Sequence, residues 1–137
     1  MVINKLEEFA PYIEKGLITA THHPDDFDIV ILNYTNKCQY DACWDAITTK
    51  CRGLILNTKT GEVLARPFDK FFNFFEIKDP LPPGIPEVTV KMDGSLGISY
   101  RLNGRLLWAT RGSFTGPQAM AAQEIWDSKY AAVHPPR

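Results

Sequence analysis

No apolar run in these 137 residues approaches the ~20 that a membrane span needs. The amino terminus, with Lys5, Glu7, Glu8 and Pro11, lacks the cationic flank and apolar stretch of a secretory signal, so the cytoplasm is the expected compartment. Cysteine is scarce: Cys38, Cys43 and Cys51 are odd in number and scattered, which argues against a disulfide framework and fits reduced packing thiols. Their spacing with His22 and His23 matches no common zinc pattern, so no structural metal is expected. Internal repeats and low-complexity tracts are also lacking. What is present is 45% apolar and 23% charged sequence, ordinary for a single domain that buries roughly two thirds of its unfolded surface.

Net charge is only −1, but it is unevenly placed. Residues 1–49 hold three Lys/Arg against eight Asp/Glu, whereas residues 50–111 hold ten against six. The basic middle would favour phosphate-rich ligands; solvated strand faces with no ligand are the bland alternative. Within it, Val88-Thr89-Val90-Lys91-Met92-Asp93-Gly94-Ser95 reads as a strand delivering Lys91 to a tight polar turn. Only the neutral amine of a lysine is a nucleophile, and at the ordinary pKa of about 10.4 roughly one in a thousand is neutral near pH 7.4. Burial and nearby cations would have to lower that value, while Asp93 would raise it unless it serves a metal or a ribose hydroxyl. Gly94 permits a positive φ or close approach to a ligand. An ordinary hairpin with an exposed lysine is the competing reading.

Lys91-Met92-Asp93-Gly94 resembles the Lys-x-Asp-Gly signature of covalent nucleotidyltransferases, the ATP-dependent DNA and RNA ligases and mRNA capping enzymes. Lys50-Cys51-Arg52-Gly53-Leu54-Ile55-Leu56-Asn57 and Arg66-Pro67-Phe68-Asp69-Lys70-Phe71-Phe72-Asn73 resemble the segments preceding the nucleophile in phage RNA ligases of the RNA ligase 1 type. Thr110-Arg111-Gly112-Ser113 resembles the element that follows it. The resemblance implies an adenylyltransferase domain with Lys91 as the residue adenylylated by ATP in the presence of Mg2+ or Mn2+. It implies nucleotide contacts from Tyr34, Arg52, Lys70, Val90, Asp93, Gly94 and Arg111, and RNA ends bearing a 5′-phosphate and a 3′-hydroxyl as substrates. No dedicated metal ligand is assigned. The superfamily's later aromatic-acidic segment, Glu-Gly strand and lysine-bearing strand have no counterpart between Ser113 and Arg137. Residues 1–137 are therefore expected to be the amino-terminal portion of a longer ligase chain with little sealing activity of its own. The alternatives are a non-catalytic nucleotide-binding or interaction module and a capping-type guanylyltransferase fragment.

The implied fold is α+β, a partial nucleotidyltransferase (ATP-grasp-like ligase) domain with a twisted, mostly antiparallel sheet and flanking helices. Locally, Asn4 and Glu7 resemble a capping box; Leu6, Phe9, Ala10 and Ile13 have helical spacing, Pro11 interrupts them and Gly16 ends the helix. Residues 17–28 read as loop with surface histidines, Phe27–Tyr34 as a buried strand, and Thr35–Ala46 as irregular chain pinned by Trp44. Tyr34 reads equally as a core aromatic or a phosphate contact, and Arg52 as a surface residue or a functional one. Thr58-Lys59-Thr60-Gly61 and Asn103-Gly104 mark hairpin turns. The phenylalanines between Pro67 and Glu76 read as chiefly core, framing Lys70. Asp79–Pro86 reads as a stiff connector, and Pro117 opens a helix with Ala119, Ala122, Gln123, Trp126 and Tyr130 on one face, ended before Pro135.

Overall fold

Strands β2 (Ile29–Tyr34) and β3 (Arg52–Asn57) carry the densest apolar runs, and their period-two alternation sends side chains to two faces. Both faces are covered. Val30, Leu32, Leu54 and Leu56 pack with Phe9, Ile18 and Cys51 on one side, and Ile29, Ile31 and Ile55 with Ile98, Tyr100, Ala109 and Phe114 on the other. In this computed structural model, which describes residues 6–73, 82–90 and 94–130, β2 and β3 are the centre of an antiparallel sheet ordered β1-β2-β3-β4. Its outer strands are β1 (Ile18–His22) and β4 (Val63–Ala65). A second antiparallel pair, β5 (Ile98–Leu102) and β6 (Arg105–Ala109), covers one face. The α+β, antiparallel expectation is met, with the strands divided between two sheets.

The helical pieces follow their punctuation. A 3-10 turn (Leu6–Glu8) breaks before α1 (Ala10–Glu14), which takes Pro11 in its first turn, where a missing N–H costs nothing. Gly16 then turns the chain with φ +75°. Asn4 lies outside the described residues. At the other end Pro117 opens α3 (Pro117–Ile125), which continues into a π-helical turn (Trp126–Tyr130); Pro135 lies outside the described residues. Ala119 of α3 is buried, and the Gln123 side chain accepts the Trp108 amide at 3.1 Å, tying the helix to β6. Among the described residues no helix is long and apolar enough to cross a membrane.

The structure corrects several expectations. Residues 17–28 are not all loop, because Ile18–His22 pairs along β2 from Ile18↔Tyr34 to His22↔Val30; an edge strand half open to solvent tolerates polar residues that blur the pattern. His23 is buried rather than superficial, its Nε2 2.9 Å from the Tyr100 hydroxyl and its ring edge-on to Phe114. The Thr35–Ala46 stretch contains a short helix, α2 (Asn36–Tyr40), because the Thr35 hydroxyl caps the Cys38 amide at 3.1 Å. Phe68 and Phe71 are 84% and 68% exposed, so of the described phenylalanines in that run only Phe72 is even half-buried. Phe74, Phe75 and Asp79–Leu81 lie outside the described residues. The strand expected at Val88–Lys91 has no described ladder: residues 82–90 are irregular and exposed.

Candidate functional site

Tyr34 closes β2, and Arg52 opens β3 beside it. A register shift between Leu32 and Asn33 brings Asn33 opposite Arg52, and the Tyr34 amide donates to the Cys51 carbonyl at 2.7 Å. Such a bulge re-aims the side chains at a sheet rim. Two more cations arrive from distant segments. After β4 the chain folds back so that the Lys70 amide donates to the Thr49 carbonyl at 2.9 Å, while the loop after β6 carries Arg111.

All three cations rest on aromatic faces. Lys70 Nζ lies 4.7 Å from the Phe72 ring centre, 5.0 Å from Trp44 and 5.8 Å from Tyr34. The Arg111 guanidinium carbon is 4.9 Å from the Tyr34 centre, and that of Arg52 is 5.2 Å from Phe71. Tyr34 is buried, which fits a core aromatic, and its ring faces two cations. Among the described residues, no carboxylate pairs with Arg52, Lys70 or Arg111; the ion pairs are Arg66–Asp69 and Arg105–Asp127. Unpaired cations held by rings keep their charge available to an anion while the rings limit their motion.

Glycine makes the approach possible. Gly53 has φ +85°, and a Cβ there would stand 2.5 Å from Ile98 Cδ1 and 3.2 Å from Arg111 Cα. A Cβ there would be strained at that φ and would press on the Ile98 side chain and the Arg111 backbone. Sequence reasoning gave Trp44 only a packing role and left Gly53 unexamined. Trp44 meets Tyr34 edge-on at 4.9 Å and Phe72 at 5.7 Å, completing the box around Lys70. Its loop is set by Asp45, which accepts the Ile47 and Thr48 amides at 2.8 Å and the Tyr12 hydroxyl at 2.7 Å. Those hydrogen bonds hold the Asp45 carboxyl below its ordinary value although burial alone would raise it.

Tyr34, Lys70 and Arg111 are thus brought together, with Arg52 at the neighbouring strand end. Val90 is 82% exposed and outside any sheet. Gly94 does take a positive φ, +126°, with nothing close to its Cβ position. Lys91 and Asp93 lie outside the described residues. The Cys38 and Cys51 thiols are not poised for chemistry, since burial raises the pKa of Cys38 and pushes Cys51 up to about 12. Among the described residues no cluster of three or more His, Cys, Asp or Glu could hold a metal ion.

The sequence profile of a protein family described as RNA ligase matches residues 50–135. RNA ligase 1 of bacteriophage TS2126 is 40% identical over 78 residues, covering 48% of this chain and 19% of that protein. A protein of Autographa californica nuclear polyhedrosis virus named "Putative bifunctional polynucleotide kinase/RNA ligase" is 34% identical over 100 residues, covering 64% of this chain and 14% of its own length. The chain thus spans no more than about a fifth of either relative.

Proposed function

The chain belongs to the RNA ligase family, and from that premise we propose that residues 1–137 are the amino-terminal part of an adenylyltransferase domain whose cations hold the triphosphate of ATP against Lys91. One observation carries the reading: Lys70 and Arg111 converge on Tyr34, with Arg52 beside them and no described carboxylate pairing with any of the three. A triphosphate is the ligand such an arrangement suits. In the proposed step the neutral Lys91 amine attacks the α-phosphorus, a nitrogen–phosphorus bond forms, and the bond to the bridging oxygen breaks, releasing pyrophosphate. Negative charge shifts onto oxygens that preorganised cations stabilise without reorganising.

Arg52, Lys70 and Arg111 are assigned to the phosphates, Val90 and Gly94 to the approach of the nucleotide, and Asp93 to ribose or metal. Magnesium or manganese would supply further charge neutralisation on the phosphates. Among the described residues no cluster of three or more His, Cys, Asp or Glu forms a ligand set for it. The substrates of the whole ligase would be RNA ends with a 5′-phosphate and a 3′-hydroxyl, and the compartment cytoplasmic.

Intact-mass spectrometry after incubation with ATP and magnesium tests the first step. A slow gain of one AMP, absent in Lys91→Ala, is expected. Thermal shifts should be larger with ATP than with GTP; the reverse would move the assignment to capping-type guanylyltransfer. ATP binding without any adduct would leave a non-catalytic nucleotide-binding module. A 5′-phosphorylated RNA should not be circularised by this chain alone, because each lost preorganised group costs about 10²–10³ in rate. Efficient circularisation would refute the partial-domain reading.

A further inference from the structure

Consecutive side chains part company at Lys70-Phe71-Phe72. Lys70 and Phe72 turn inward to Trp44 and Tyr34, whereas Phe71 stays 68% exposed, with the Arg52 guanidinium carbon 5.2 Å from its ring centre. A guanidinium covers only one face of a ring, so most of Phe71 remains open to solvent beside a cation of the phosphate site. The segment is fixed from below, because the Lys70 amide donates to the Thr49 carbonyl at 2.9 Å. Single-stranded nucleic acids are held by this combination, a base on an aromatic ring and a backbone phosphate on a neighbouring cation.

The chemistry of phosphoryl transfer says which phosphate comes there. In adenylylation, pyrophosphate leaves the α-phosphorus in line with the incoming lysine nitrogen and opposite to it. In the next transfer that nitrogen is the leaving group, so an oxygen of an RNA 5′-phosphate approaches from the side that pyrophosphate vacated. A phosphorus–oxygen bond forms, the phosphorus–nitrogen bond breaks, and the amine departs with the electron pair and takes up a proton. The cations assigned to the triphosphate thus become those that receive the 5′-phosphate, and the base of the same nucleotide comes within reach of Phe71. We infer that Phe71 is the platform for the 5′-terminal nucleobase of the RNA strand, with Arg52 serving the ring and the phosphate together. The inference rests on the adenylyltransferase reading above and adds a place for the RNA end. Because every base has a π-face, such a platform selects an unpaired, 5′-phosphorylated end and not a sequence.

The probe is a short single-stranded RNA with a fluorescent adenine analogue at its 5′ end, titrated into the chain. With a 5′-phosphate it should bind roughly tenfold more tightly than with a 5′-hydroxyl. Its emission should be quenched on binding, and inorganic pyrophosphate should displace it. Phe71→Ala should weaken binding about fivefold to a hundredfold, the range of one base–aromatic stack, and Phe71→Trp should keep it. The deciding comparison uses the same RNA with an abasic 5′ residue that retains its phosphate. If base and ring stack, removing one leaves little for the loss of the other to cost, so Phe71→Ala should hardly affect the abasic RNA. Equal losses for both RNAs would mean that Phe71 only braces Arg52, and would overturn the inference. So would RNA binding indifferent to the 5′-phosphate, or no RNA binding at all. The same coupling between Phe71→Ala and the base of ATP, measured against inorganic triphosphate, would also overturn it, because the adenine would then occupy the ring. A chain that shows the RNA coupling but never gains AMP would end the adenylyltransferase reading and keep the platform; AMP gained with no coupling would do the reverse.

Discussion

The Arg111 guanidinium lies over the Tyr34 ring, 4.9 Å from its centre, so a loop that follows the last hairpin is fastened to the end of a central strand. The same ring carries Lys70 at 5.8 Å. One buried aromatic therefore sets the separation of two cations carried by segments far apart in the chain.

Removing that ring should loosen both cations. At about 0.5–2 kcal/mol per cation–π contact, Tyr34→Ala is expected to weaken ATP binding roughly tenfold to a hundredfold, whereas Tyr34→Phe keeps the ring and nearly all the affinity. Isothermal titration with ATP and with adenosine separates the outcomes. Loss for ATP alone fits cation positioning, and equal loss for both ligands means the tyrosine only holds the fold.

Gly53→Ala puts a methyl where φ is +85°, against Ile98 and 3.2 Å from the Arg111 backbone. The strain should cost about 1–3 kcal/mol in urea unfolding, and ATP affinity should fall with it because Arg111 is displaced. Gly104→Ala has open space around it and also a positive φ, so it should lose stability without losing ATP affinity.

His23 gives the fold an acid-sensitive point. Burial holds its imidazole below the ordinary 6.5, against the upward pull of Asp25 and Asp26. The Asp25 amide donates to Nδ1 at 3.0 Å, leaving Nε2–H to donate to the Tyr100 hydroxyl, whose own pKa burial pushes up to about 12. Between the folded value and 6.5 the unfolded chain binds more protons. Stability should therefore be full above pH 6.5 and decline as pH falls toward the folded value. His23→Gln should flatten that decline in urea midpoints between pH 7.5 and 5.5, at some cost in stability at neutral pH.

Asp45→Ala should leave the Ile47 and Thr48 amides and the Tyr12 hydroxyl without their shared acceptor, and free the loop that presents Trp44 to Lys70. Weaker ATP binding with unchanged strand content by circular dichroism is the expected result. Because the folded carboxyl titrates below 3.8, its contribution is present above that value and is lost as pH falls through the folded one. The Asp45 window opens below 3.8, whereas the one set by His23 opens below 6.5.

The sequence by itself determined the features that one or two residues can dictate through their own backbone. Asn103 and Gly104 both adopt positive φ, 53° and 78°, as a tight hairpin requires. Pro11 splits the amino-terminal helix, Pro117 starts the last one, and the apolar runs of β2 and β3 form central strands. The order of the cation-bearing segments was legible too, through their resemblance to RNA ligases. Burial was not. Polar Ile18–His22 became a strand because β2 offered it a ladder, and His23 went inside because Tyr100 and Phe114 came to meet it. Phe68 and Phe71 stayed outside, although a count of phenylalanines read them as core. Trp44, Phe72 and Tyr34 surround Lys70 only because the chain after β4 doubles back to Thr49. Turns and caps depend on torsions and hydrogen bonds within a few residues, whereas burial and the gathering of like charges depend on which distant element arrives alongside, and only the folded chain decides that.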